Sequence, residues 1–220
     1  MFTEKVIDFL NQLSNNNNRE WFNANKALYQ ACNKEVEVSV IKLVQEIQKF
    51  DPSIGNLEPK DSMFRIYRDV RFSHDKSPYK INMGAVFAQG GRKSIKAGYY
   101  MHIEPNDCFI GGGIYMPEAP VLKAIRKEIY YNSDEFNKIL NEKNFKKYFP
   151  TGIGGDKLKN PPKDFPADFK DIELLKHKHF FTLNSVKDAE LSSKDYFKKV
   201  VEVFKAIKPL NDFLNRAIEN

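Results

Sequence analysis

The chain has 220 residues, 41% of them hydrophobic and 29% charged, with a formal net charge of +6. That composition excludes disordered and collagen-like chains, and the length suffices to bury a core without disulfides or a structural metal, so one domain over residues 1–220 is expected. Two cysteines, Cys32 and Cys108, are too few for a secreted disulfide scaffold or a four-ligand zinc site; with no apolar run of membrane-spanning length and no signal-like N-terminus, a cytoplasmic protein without a membrane partner is expected.

In chain order, Val6, Leu10 and Leu13 share one face of a first helix that ends at the asparagine run 15–18. Asn18 is a good N-cap for a second helix with Glu20 in its first turn. Tyr29, Cys32, Val36, Val40, Leu43 and Ile47 recur along it until Asp51-Pro52 stops it. From Ser62 the period changes to two. Residues 62–68, 81–88, 98–104 and 107–116 read as strands, with Pro105-Asn106 turning between the last two. Helical spacing returns over 117–132, with Val121, Leu122, Ile125 and Ile129 on the inner face, and a short helix follows over 134–144. Residues 145–178 read mostly as loop, and 180–186 as a fifth strand. A last helix opens at Ser192, which has capping-box spacing with Asp195. Pro209 should kink or divide it. Helices before and after a block of strands predict an α+β fold, an antiparallel meander covered by helices from both chain ends.

The charge is uneven. Residues 60–127 hold 12 Lys/Arg against 6 Asp/Glu and five of the seven arginines. Arginine offers a planar fork suited to phosphate or carboxylate, which lysine does not. As a strand, 62–68 places Phe64 and Ile66 on one face and Arg65 and Tyr67, with Asp69 beyond, on the other. A connection of about a dozen residues follows, unusually long for a hairpin and therefore a candidate site. Arg65, Tyr67, Arg68, Asp69, Arg71, Lys76, Tyr79 and Lys80 are the candidate ligand-binding residues, converging on a small anion, with Asp69 and Asp75 orienting the arginines.

This segment, Phe64-Arg-Ile-Tyr-Arg-Asp-Val-Arg-Phe-Ser-His-Asp-Lys-Ser-Pro-Tyr-Lys80, resembles the uncharacterised bacterial proteins grouped as the domain of unknown function numbered 2461. Asn18-Arg-Glu-Trp-Phe-Asn-Ala-Asn-Lys26 with Tyr29, and Gly111-Gly-Gly-Ile-Tyr-Met-Pro117, extend the resemblance over nearly the whole chain. It implies a compact α+β domain in cytoplasmic proteins. It implies no activity, so no site residue is carried over from it.

With a two-residue turn at Pro105-Asn106, Glu104 pairs with Asp107, Ile103 with Cys108, and His102 with Phe109. Tyr99, Met101, Ile103, Cys108 and Ile110 then share an apolar face, and Tyr100, His102, Glu104 and Asp107 a polar one. A Cys108–His102 nucleophilic pair is excluded, since the two point to opposite faces. His102 is the first candidate for general acid-base chemistry and His74 the second. Glu104 and Asp107 form a pair of like charges at an exposed hairpin end. Gly111-Gly-Gly113 calls for a close approach by another backbone, a helix or a ligand. Thr151-Gly-Ile-Gly-Gly155 lacks the Lys-Ser/Thr ending of a phosphate loop. His177 and His179, among lysines, read as surface histidines and not metal ligands. No cofactor or metal is implied.

Three functions compete: a binder of a small anionic molecule, with or without acid-base chemistry; a single-stranded nucleic-acid module using Phe72, Tyr79, Phe87, Tyr99 and Tyr100 beside the cations; and an interaction domain without a small ligand.

Overall fold

In the computed structural model, which describes residues 2–219, four strands form one antiparallel sheet in the order β1 (Met83–Phe87), β2 (Gly98–Ile103), β3 (Cys108–Ile114) and β4 (Phe180–Val186). With helices at both chain ends, the fold is the α+β meander that the change of period predicts. The alternation holds along the β2–β3 hairpin: Tyr99, Met101, Ile103, Cys108 and Ile110 are all buried. Its turn closes with the Asp107 N–H donating to the Glu104 carbonyl at 3.0 Å. Asn106 takes φ 64°, the left-handed value a type II turn requires after a proline.

The expected strand over 62–68 is not part of this sheet. Pro59 and a capping box between Glu58 and Asp61 draw its first residue into a helical turn, α4 (Pro59–Ser62). The rest is extended chain held by isolated bridges, Met63 to Ala85 and Tyr67 to Tyr79. The Arg68 N–H donates to the Pro78 carbonyl at 3.0 Å, and Pro78 has no N–H to return, so no continuous ladder forms.

The chain divides into two compact units. The first comprises the described residues of Met1–Arg92, Tyr100–Ile110 and Ser185–Glu202, and the second those of Lys93–Tyr99, Gly111–Asn184 and Val203–Asn220. In the first, α1 (Glu4–Asn15) buries Val6, Phe9, Leu10 and Leu13. The single helix expected after Asn18 is two, α2 (Arg19–Ala24) and α3 (Lys26–Gln48). The Asn18 side chain caps α2 by accepting from the Trp21 N–H at 2.9 Å. The break is Asn25, whose side-chain amide donates to the Trp21 carbonyl at 2.9 Å and so competes with the backbone ladder. α3 buries Cys32, Val36, Val40, Leu43 and Ile47, as the spacing requires.

In the second unit, α5 (Ala119–Tyr131) and α6 (Ser133–Asn141) follow β3. The stretch expected as mostly loop contains α7 (Lys143–Tyr148) and α8 (Ile172–Leu175). Both are too short to display a period; the Glu142 carboxylate caps α7 by accepting from the Asn144 and Phe145 N–H groups. The last helix, α9 (Tyr196–Glu219), starts later than Ser192 and runs unbroken through Pro209. Buried Phe204, Ile207, Leu210, Phe213 and Leu214 on both sides of the proline hold it together despite the missing donor. The glycine run of β3 meets the expected close approaches: Gly111 faces the Thr182 carbonyl, Gly113 that of Phe180, and Gly112 abuts Ile207. Among the described residues no helix is long and apolar enough to cross a membrane.

Candidate functional site

On one face of β2 and the residue that follows it, positions 100, 102 and 104 succeed one another at period two, and their side chains join end to end. The Tyr100 hydroxyl lies 2.9 Å from His102 Nδ1, and His102 Nε2 lies 3.0 Å from Glu104 Oε2. A carboxylate only accepts, so the neutral ring that satisfies both contacts carries its proton on Nε2 and accepts the tyrosine O–H on Nδ1. The Asn82 side-chain amide donates to the same Glu104 oxygen at 3.2 Å. Phe109 stacks on the His102 ring at 4.5 Å, in the cross-strand position expected for it. Burial, with Glu104 adding, pushes the Tyr100 phenol up to about 12, so it is a donor at neutral pH. Gly84 on β1 makes room for it, because a Cβ there would run into the Tyr100 hydroxyl.

Tyr100, His102 and Asn82 form one wall of a groove of about 460 Å³ that is also lined by Phe64, Arg68, Asp69 and Lys80. The extended stretch after α4 supplies the other side. Ile66 is buried at 3% exposure, while Phe64, expected on the same inner face, is 39% exposed and its ring meets Tyr100 edge-on. The Lys80 ammonium sits 5.3 Å over the Phe64 ring. Burial and then the charge of Arg65 hold Lys80 below the usual lysine range. Among the described residues it has no carboxylate partner.

Of the expected site residues, the structure brings Arg68, Asp69, Lys80 and His102 to this groove. It does not gather the arginines. Arg68 pairs with Asp75, and Arg71 is clasped by Asp69 through two hydrogen bonds of 2.9 and 2.6 Å. Those bonds hold Asp69 down to about 2, and Ser77 first and then Arg68 lower Asp75 further. Arg65 is exposed away from the groove lining, His74 is exposed, and the Lys76 ammonium donates to the Val70 carbonyl at 3.0 Å. Tyr79 is 4% exposed and stacked on Phe22 at 3.9 Å, and Tyr67 leans on the same cluster, so both serve packing. Asn82 and Phe64 are groove residues absent from the expected site, and Tyr100 is expected there only as a stacking ring for nucleic acid. Alternation places Tyr100 and Glu104 on the face of His102, and Glu104 bonds to that histidine two residues back.

His177 corrects another expectation. It is 5% exposed, not a surface residue, and its Nδ1 is buried without an acceptor or donor among the described residues. Burial, and then Lys157, lower its pKa from 6.5 to about 4. Between these values the unfolded chain binds more protons than the folded one, so stability falls as pH drops from about 6.5 toward 4. The expected loss is roughly 2 kcal/mol, allowing for partial solvation. Urea unfolding at pH 7.5 and 4.5 checks it: His177→Gln should show a shallower loss than wild type, and an identical loss would refute the assignment. His179 instead accepts the Met116 N–H on Nδ1 at 3.0 Å.

Of the aromatic rings offered for nucleic-acid stacking, Tyr79, Phe87 and Tyr99 are buried, and Phe72 stands out at 95% exposure. Among the described residues no group of three or more His, Cys, Asp or Glu side chains is placed to hold a metal ion. A family model described as "Conserved hypothetical protein (DUF2461)" matches residues 5–213. Comparison with curated proteins and with solved structures gave no match.

Proposed function

The chain belongs to the conserved hypothetical protein family DUF2461, and from that premise we propose that the groove beside β2 binds a small oxyanion, a phosphate or carboxylate, next to a proton relay. The observation that carries this reading is Lys80, a half-buried cation without a carboxylate partner among the described residues, in the same groove as Tyr100 and His102. The arginines that the sequence offers are mostly committed to acids, so Lys80 supplies the charge and Arg68 the rim. A ligand oxygen held by Lys80 comes within the groove that Tyr100 lines. Tyr100 can then accept a proton from a ligand group while passing its own to His102 Nδ1, the imidazolium being stabilised by the Glu104 carboxylate, which Asn82 holds in place. Because the phenol resists ionisation, the two proton movements have to be concerted.

Thermal unfolding with inorganic phosphate, acetate and malonate tests the binding. A ligand at 100 times its Kd stabilises the folded state by about 2.7 kcal/mol. Lys80→Met is expected to weaken the best of these ligands by about tenfold or more, since a charge-assisted hydrogen bond is lost, whereas Arg65→Ala changes it little. Stabilisation by none of them, or equal affinity in Lys80→Met, would remove the reading.

A further inference from the structure

A second charged groove lies wholly within the other unit, and its chemistry is independent of the first. It measures about 480 Å³ and is lined by Arg126 of α5, by Leu158, Lys159 and the Pro161-Pro162 pair, and by Lys163 and Asp164. Arg126 differs from Arg216, Arg71 and Arg68, each of which is held by acids. Arg216 is held by Glu128 and Glu135, Arg71 by Asp69 and Arg68 by Asp75. Arg126 has no carboxylate partner among the described residues. Its one hydrogen bond there runs from Nη2 to the His177 carbonyl at 2.9 Å, and its Nε–H is buried without an acceptor. Burial lowers its pKa, the sign of a charge removed from water without compensation.

The walls of this groove are charged in the same sense. Asp164, its one acid, is taken by Lys123 at 2.8 Å, while Lys159 and Lys163 are exposed and have no ion-pair partner among the described residues. The lining segment is also held in place. The Leu158 N–H donates to the Lys176 carbonyl at 2.8 Å, the Lys178 N–H to that of Asp156 at 3.0 Å, and Lys157 bridges to His177. The strand of chain that presents the His177 carbonyl to Arg126 is thus the one to which the groove wall is zipped. Two consecutive prolines restrict the remaining loop. Donors, charge and a fixed wall converge on one place.

We propose that this groove is a second oxyanion site, in which the Arg126 guanidinium, assisted by Lys159 and Lys163, binds a carboxylate or phosphate group on a small molecule whose apolar part rests on Leu158 and Pro161. The planar fork suits either anion, and an anion beside the guanidinium supplies the countercharge that this partly buried side chain lacks among the described residues.

The test follows the Arg126 Nε–H resonance in uniformly 15N-labelled protein, identified through its couplings to the assigned backbone. Inorganic phosphate is added in one series and succinate in another, with ionic strength held constant by sodium chloride. A saturable shift of that resonance is expected with at least one of them, phosphate alone marking a phosphate site and succinate alone a carboxylate site. The Lys159→Gln/Lys163→Gln double variant, altered only at exposed positions, should bind about fivefold more weakly or worse. Lys80→Met should leave the shift unchanged, which separates this site from the groove beside β2. No shift with either anion, or a shift that chloride reproduces, or an unaltered affinity in the double lysine variant, would overturn the proposal.

Discussion

Gly113→Ala is expected to lower the unfolding free energy by about 3 kcal/mol or more. Gly113 stands in β3 with φ 106°, a conformation L residues rarely adopt. A Cβ there would collide with the Phe180 carbonyl and lie 2.8 Å from the Phe181 Cα, both backbone atoms of β4. Backbone cannot swing aside as a flexible side chain would, so relief requires β3 and β4 to separate at a pair of neighbouring strands. Gly90→Ala is the matched control, because Gly90 has φ 86° but nothing within 4 Å of its would-be Cβ. It should cost about 1 kcal/mol, the strain alone. Urea unfolding of the two variants separates these contributions, and equal costs would show that steric crowding at Gly113 has been misread.

Phe22→Ala is expected to cost about 3–5 kcal/mol, in the range for a large buried aromatic. Phe22 is 2% exposed, stacks on Tyr79 at 3.9 Å with planes 14° apart, and meets Tyr29 at 5.1 Å. Tyr79 is also bound at its backbone: the Asn17 side-chain amide donates to its carbonyl at 2.9 Å, and its N–H donates to the Asn17 side-chain oxygen at 3.1 Å. The residue after it is Lys80. Losing the Phe22 ring therefore loosens the attachment that places the ammonium, and the Lys80 amide, which donates to the Ile66 carbonyl at 2.7 Å, should lose protection from hydrogen exchange. Phe22→Leu should recover about half of the stability. A cost below about 1 kcal/mol, or an unchanged Lys80 amide, would contradict this account.

The helices that bury a regular stripe were readable because burial imposes a period on the residues themselves: Val36, Val40, Leu43 and Ile47 of α3 could face only inward. The hairpin was readable for the same reason, with Pro105-Asn106 fixing its register. What escaped was decided by partners distant in sequence. Tyr79 looks like a ligand-binding phenol until Phe22, 57 positions earlier, is stacked on it. Arg71 looks like an anion receptor until Asp69 is found to occupy its fork. Asn25 ends α2 through a side-chain bond that no hydrophobic period records. The groove is half readable: Arg68, Asp69, Lys80 and His102 are expected site residues, but Phe64 belongs to it because the 63–80 segment lies extended and not in the sheet.

The tip of the β2–β3 hairpin has a mechanical role as well. Asp188 receives the Asn106 N–H at 3.0 Å and the Cys108 thiol at 3.5 Å, and that thiol also reaches the Glu104 carbonyl at 3.1 Å. Glu104 is thereby clamped at its main chain by the turn while its carboxylate steadies the imidazole. Asp188 thus anchors the far end of the hydrogen-bonded chain from Tyr100 through His102 to Glu104, from a position outside the groove.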